Sequence, residues 1–213
     1  MSSASADRYR RSVRVVAGSA RGRRLRAPAG RATRPTSDRV REAMFSILAS
    51  LAEVEGAVVL DLFAGSGALG IEALSRGAAR AVFVERDRAA LAAIRANLEV
   101  LEGGAGRAEV VGADVFRYLA TAPGSPAPDP SRRPPSPPSP DPARAIPVIA
   151  LADPPYAFDG WDRLLAGLAG RASLLMAETA VEWAPSDGWE TVKVRRYGGT
   201  VVTVVQPLAG RSR

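Results

Sequence analysis

Short apolar runs that close on an acidic residue alternate along this chain with segments whose apolar positions recur every three or four residues. Residues 57–60 form the first such run, read as a buried strand with Asp61 at its carboxyl edge. Residues 81–85 repeat the pattern and end at Glu85, 108–112 lead into Asp114, 148–152 into Asp153, and 174–177 into Glu178. Between them, residues 69–76 predict a helix that Gly77 stops, and Asp87 caps a helix whose stripe is Leu91, Ile94, Leu98 and Leu101, ended by Gly103 and Gly104. Residues 161–168 predict another helix. Earlier, Thr36 or Ser37 caps a helix with Val40, Met44, Ile47, Leu48 and Leu51 as its apolar stripe, leaving Arg39, Arg41, Glu42 and Ser46 off it and Phe45 at its border. Residues 13–18 read as a strand start, 19–25 as the rest of a hairpin, and 190–195 with 200–206 as a closing hairpin around Tyr197-Gly198-Gly199. Strands alternating with helices in this way predict a doubly wound α/β sheet.

The densest signal is Asp61-Leu62-Phe63-Ala64-Gly65-Ser66-Gly67-Ala68-Leu69-Gly70. A strand, a glycine turn and a helix in succession bring backbone N–H groups and a helix N-terminus up to a ligand. The Gly65-x-Gly67-x-x-Gly70 spacing matches the dinucleotide fingerprint, a weak signal on its own. Here, however, four residues separate the strand from the first glycine, and the first of them is a carboxylate. Such a site suits a positively charged ligand, such as the ammonium or sulfonium of S-adenosylmethionine. Glu85 lies 20 residues beyond Gly65, where an acidic residue meets ribose hydroxyls.

Composition narrows the chemistry further. The chain has 213 residues, 46% of them hydrophobic, enough for one domain with a small appendage. Neither a membrane-length apolar run nor a secretory signal is present, so a cytoplasmic protein is expected. It has no cysteine and no histidine, which removes thiolate nucleophiles, cysteine zinc sites and the Ser-His-Asp triad. Chemistry must run on carboxylates, backbone groups and a cofactor, with no metal expected. The net charge of +7 is unevenly placed: residues 1–41 hold twelve arginines against Asp7 and Asp38, a net of +10, which leaves −3 for the rest. A basic lobe on a mildly acidic body predicts a polyanionic partner.

Residues 123–142 contain ten prolines in twenty positions and predict an extended surface insertion spanning about 122–145. Tails over 1–12 and 208–213 are expected to be disordered. The remaining segments divide into an N-terminal extension, 13–35, and a catalytic domain, 36–207.

Asp153-Pro154-Pro155-Tyr156 follows the fourth strand at once. An exocyclic base amine is a poor nucleophile because its lone pair is delocalised into the ring. Two acceptors on its hydrogens favour a pyramidal nitrogen and aim the lone pair at a methyl donor. The Asp153 carboxylate supplies one acceptor and the Pro154 carbonyl the other, since consecutive prolines make a stiff turn with no competing N–H. Tyr156 offers a face on which an unstacked base can lie. Ligands in open α/β sheets gather beyond the carboxyl ends of the strands, where Asp61, Glu85, Asp114 and Asp153 all fall.

Together, the Asp61–Gly70 segment and Asp153–Tyr156 resemble the class I S-adenosylmethionine-dependent amino-methyltransferases. Residues 13–18, Arg21-Gly22-Arg23 and Arg34-Pro35-Thr36-Ser37-Asp38-Arg39-Val40-Arg41-Glu42 narrow the resemblance to the bacterial 16S rRNA guanine-N2 methyltransferases that modify guanine-966. It runs from about Val13 to Gln206, apart from the proline-rich stretch. It implies a Rossmann-like seven-stranded sheet with a small N-terminal β-hairpin that binds RNA, and methyl transfer from S-adenosylmethionine. On that resemblance Gly65 and Gly67 hold the methionine end of the cofactor, Glu85 meets its ribose and Asp114 its adenine. Asp61, Phe63, Ala64, Ser66, Arg86 and Val115 are further cofactor-binding positions. Asp153, Pro154, Pro155 and Tyr156 take the target amine. Arg21, Arg23, Arg24 and Arg26 are expected on phosphates, with Arg39 and Arg41 near the flipped guanosine or the cofactor. The expected partner is 16S rRNA or a small-subunit assembly particle, met by a monomer with no membrane association. DNA adenine-N6 or another RNA methylation, binding of cofactor and RNA without catalysis, and nicotinamide chemistry are the alternatives.

Overall fold

The structure, a computed structural model, describes residues 13–28, 37–121 and 146–208. The expected N-terminal tail, the proline-rich insertion and positions 29–36 and 209–213 lie outside the described residues.

Strands β1 (Val13–Arg14) and β2 (Arg24–Leu25) pair antiparallel as a separate two-stranded sheet. Then follow α1 (Asp38–Leu51), β3 (Val58–Leu62), α2 (Ala68–Ser75), β4 (Arg80–Glu85), α3 (Arg88–Leu98) and β5 (Ala108–Gly112). The second half contributes α4 (Val115–Thr121), β6 (Val148–Ala152), α5 (Trp161–Leu168), β7 (Leu174–Thr179), β8 (Trp189–Tyr197) and β9 (Thr200–Pro207). The main sheet has the expected seven strands, which lie in the order β5-β4-β3-β6-β7-β9-β8 with β9 antiparallel to both of its neighbours. The chain order reverses between β3 and β6, and ligands bind at such a switch point.

Both faces of the central strands are covered, which is why β3 and β6 read as near-continuous apolar runs. One face packs against α1, α2, α3 and the β1–β2 hairpin through Met44, Phe45, Ile71, Leu74 and Ile94. The other packs against α4 and α5 through Val115, Leu119, Leu164 and Leu168.

Three sequence expectations need correction. β3 runs through Asp61 to Leu62 instead of stopping at Leu60, because the Asp61 carboxylate finds an N–H donor in the next helix and is tolerated inside the sheet. Helix α4, not foreseen, starts directly after Asp114. The buried stripe of α1 takes in Phe45 and Arg41, while Leu51 is exposed, so burial follows the partners of Arg41 and not its polarity. Ser37 caps α1 by accepting from the Val40 N–H, and Asp87 caps α3 by accepting from Ala90.

The N-terminal hairpin is fastened to the body by polar contacts that are themselves buried. Glu72, fully buried, accepts from the Val16 and Ala17 N–H groups at 2.7 and 2.9 Å. Ser75 Oγ accepts from Ala20 N–H and donates to the Ala17 carbonyl. Asn97 on α3 accepts from the Arg26 N–H at 2.7 Å and donates back to the Arg26 carbonyl and to the Ser66 carbonyl in the glycine turn. One amide thus connects the hairpin to the loop that carries Gly65 and Gly67.

Candidate active site at the carboxyl ends of the strands

Strand register sets the site. Leu62 pairs with Val84 on one side and Ala152 on the other, so Phe63, Glu85 and Asp153 form the next tier out, with Gly112 paired to Glu85. Asp61 lies two residues deeper than that tier, paired with Phe83 and Leu151.

Beyond β3 the chain turns sharply. Phe63 has φ +62°, a conformation that costs a bulky residue about 1–3 kcal/mol. Gly65 and Gly67 follow at +56° and +77°, and Gly67 opens α2 in a left-handed conformation. Gly70 answers a different need. A Cβ there would come 2.4 Å from the Phe83 ring and 3.1 Å from Asp61 Oδ2. Only a glycine lets α2 lie this close to the sheet, and closeness puts the Gly70 N–H 2.8 Å from the Asp61 carboxylate.

Each acid on this side is held by backbone. Glu85 accepts from Gly65 N–H through one oxygen and from Arg86 and Asp87 N–H through the other. Asp114 accepts from Phe116 N–H at 2.9 Å, capping α4, and its second oxygen lies 3.9 Å from Arg86 Nη1. Asp61 is buried, and desolvation pushes its pKa well above the usual carboxylate value. The Gly70 hydrogen bond works against that rise, while Asp153 and Glu85 add to it. A buried carboxyl beside two further acids is an electrostatic deficit that a bound cation would fill. The residues therefore fit a ligand with a positive centre. Among the described residues no cluster of acids has the arrangement of a metal site.

On the β6 side the site is open. Asp153, Pro155 and Tyr156 are exposed, Tyr156 at 64%, and Pro154 is buried. The Pro155 carbonyl accepts from Phe158 N–H at 2.9 Å and closes the turn. From Phe158 runs a chain of rings, of which sequence reasoning assigned only Phe63 to the site. Phe63 meets Phe158 edge-on at 5.1 Å, Phe158 meets Trp161 edge-on at 4.8 Å, and Trp161 stacks on Trp183 at 4.1 Å. These contacts join the end of β3, the turn after β6, the start of α5 and the loop after β7. Tyr156, Phe158 and Trp161 within six residues, in a chain only 6% aromatic, were a usable signal for this support.

The expected RNA-binding arginines separate into two groups. Arg21, Arg23, Arg24, Arg26 and Arg39 are exposed. Arg41 is fully buried and donates to the Arg14 carbonyl and, at 2.8 Å, to Asp38. Its Nε stands 3.8 Å from Glu72. Burial pulls the guanidinium down from its ordinary value, while Glu72, Asp38 and Glu178 hold it charged. Arg41 cannot reach a bound RNA and instead ties α1 to the hairpin and to α2. Glu72, Ser75 and Asn97 belong to the same fastening, and no local sequence pattern marks them.

Known proteins resemble the chain in both sequence and fold. Residues 13–128 match the profile of the family described as Conserved hypothetical protein 95. Ribosomal RNA small subunit methyltransferase D of Escherichia coli (strain K12) is 47% identical over 108 residues, which are 51% of this chain and 52% of that protein. The protein of the same name from Haemophilus influenzae is 39% identical over 107 residues, 50% of this chain and 54% of that one. In these alignments the chain spans about half the length of the curated relatives it matches. The solved structure of yhhF from Escherichia coli superposes with a TM-score of 0.71 at 32% identity, covering 93% of this chain and 99% of that one.

Proposed function

The chain belongs to the Conserved hypothetical protein 95 family, and from its site we propose that it transfers a methyl group from S-adenosylmethionine to the N2 amine of a guanine in 16S rRNA. It acts as a monomer in the cytoplasm, on the RNA itself or within a small-subunit assembly particle. The observation that carries this reading is the tier in which Asp153, opening Asp-Pro-Pro-Tyr, stands one strand away from Phe63 and two from Glu85.

S-adenosylmethionine, when bound, supplies an electrophilic methyl on a sulfonium. Asp61 and the Gly65–Gly67 loop take its charged methionine end, with Phe63, Ala64 and Ser66 walling the same end. Glu85 accepts from ribose hydroxyls while Arg86, Asp114 and Val115 flank the adenine. The Asp153 carboxylate and the Pro154 carbonyl accept from the two hydrogens of the target amine, which frees its lone pair to attack. The Pro155 carbonyl also accepts from Phe158 N–H, which holds the turn that presents the Pro154 carbonyl. Tyr156 stacks on the base. Once the methyl has arrived the nitrogen is cationic, and it gives up its proton to Asp153 or to water, so no histidine is required. Arg21, Arg23, Arg24 and Arg26 neutralise phosphates, and Arg39, exposed on the first turn of α1, adds a further contact.

Labelled S-adenosylmethionine, unmodified 16S rRNA or small-subunit particles, and nucleoside mass spectrometry of the product test this reading. N2-methylguanosine is expected. N6-methyladenosine, or tight cofactor binding without transfer to either substrate, would overturn it.

A further inference from the structure

The ladder continues past the site. One step beyond the Ala152–Ala177 pair stand Asp153 and Glu178, and Glu178 pairs with Val202, which pairs with Arg195. Arg195 therefore shares the tier of Asp153, three strands away, at about 14 Å for strands spaced 4.7–4.9 Å apart. Arg196 is one residue further out, level with Thr179. Residues facing each other across an antiparallel pair lie on the same side of a sheet. Lys193 faces Val204 and Arg195 faces Val202, and both valines pack into the core under α1 and the N-terminal hairpin. Lys193 and Arg195 thus lie on the hairpin's side of the sheet. Arg196 points to the other side and meets Glu182 at 3.1 Å, both more than half exposed.

Charge is graded along β8. The half remote from the site carries only Glu190, which Gln206 bonds, whereas the half at the site end carries Lys193, Arg195 and Arg196. Charged residues on an edge strand also discourage pairing with another chain. That role accounts for charge anywhere on β8 but not for one sign gathered at the end level with Asp153.

We propose that Lys193 and Arg195 form a second phosphate-binding arm, so that the RNA is held on both flanks of Asp153, by the β1–β2 hairpin and by the β8–β9 hairpin. This rests on the rRNA-substrate reading above. It departs from the expectation that phosphate contacts come largely from residues 1–41. A base held at Asp153 leaves its neighbouring nucleotides within reach of Arg195.

The test is a salt titration of 16S rRNA binding by the full chain, wild type against Lys193→Gln/Arg195→Gln, with methyl-transfer kinetics on the same samples. Each phosphate contact contributes about 0.7 to the slope on single-stranded RNA, so the double variant should lower the slope by about 1.4. Its KM for RNA should rise several-fold, with kcat, cofactor affinity and melting temperature unchanged. Arg195→Gln alone should give about half the change in slope, which covers the case of a misfolded double variant. An unaltered slope and KM in a preparation whose wild type methylates rRNA would overturn the arm and leave these charges as an edge guard. A wild type that methylates no rRNA at all would instead overturn the reading on which the arm rests.

Discussion

The two halves of the sheet end very differently at the site. On the β5–β4–β3 half, Asp61, Glu85 and Asp114 each accept at least one backbone N–H, and Glu85 accepts three. On the β6–β7–β9–β8 half, Asp153 and Tyr156 stand exposed on a turn that Phe158 ties to the rings of Phe63, Trp161 and Trp183. The contrast matches the ligands we assign. A small cofactor is met by acceptors whose directions are set before it arrives, which reduces the ordering cost of binding. A large nucleic acid needs an open rim with a few rigid points, and the Pro-Pro turn tied to those rings provides one.

Arg41 and Glu72 link the halves, since Arg41 is held by Glu72 of α2 on one side and feels Glu178 of β7 on the other. Breaking this link should have the largest effect on stability. Glu72→Ala leaves the buried Arg41 guanidinium with one partner fewer and takes the acceptor from the Val16 and Ala17 N–H groups, a loss of about 3–5 kcal/mol. For a domain of this size that lowers Tm by roughly 6–20 °C. A melt within 2 °C of wild type would mean that Arg41 and the hairpin are adequately held by their remaining partners.

Next in size are two substitutions that should fail in opposite ways. Asp153→Ala should slow single-turnover transfer about 10²–10³-fold, the loss of roughly 2–4 kcal/mol of transition-state stabilisation, and leave cofactor affinity within a few-fold. Glu85→Ala removes a charged acceptor worth about 1.5–3 kcal/mol, so cofactor Kd should rise about 10–100-fold with the saturated rate retained. Calorimetry and rapid-quench assays on both variants read this out. Two variants with the same defect would erase the division between the halves.

The smallest effect concerns pH. Because burial raises the Asp61 pKa, its protonated form favours folding, fully below the ordinary value of 3.8, and that contribution is lost as pH rises through the folded value. Asp61→Asn should therefore flatten the fall of apo-protein stability above pH 4, seen as Tm against pH. In the wild type, binding of a cationic cofactor should tighten over the same range as Asp61 ionises. A pH-independent affinity that matches Asp61→Asn would remove Asp61 from the cofactor site.

Much of this organisation was legible in the chain. The bounds of β5, β6 and α5 follow directly from apolar runs and helical spacing, and the acids toward the carboxyl ends of the strands were visible because each apolar run meets one. The glycine turn was legible for the same reason, since few residues but glycine take up its left-handed backbone. What stayed hidden depends on partners distant in sequence. Arg41 read as a surface arginine because, Asp38 apart, its partners are the Arg14 carbonyl and the Glu72 carboxylate, far off in the chain, and Asn97 looked like any polar residue late in a helix. Arg195 gained meaning only from a register that runs across β6, β7 and β9. Short α4 was masked by Asp114, which read as a ligand contact when it is also a helix cap.

The claim that the cofactor belongs to one half and the substrate to the other is tested most directly by a crystal structure of the complex with S-adenosylhomocysteine. The expected density has the adenosine between Glu85 and Asp114 and the amino-acid end at Asp61 and the Gly65–Gly67 turn, with Asp153 and Tyr156 still open to solvent. Density seated over β6 and β7, with Asp153 holding the ligand's ribose or its ammonium, would contradict it.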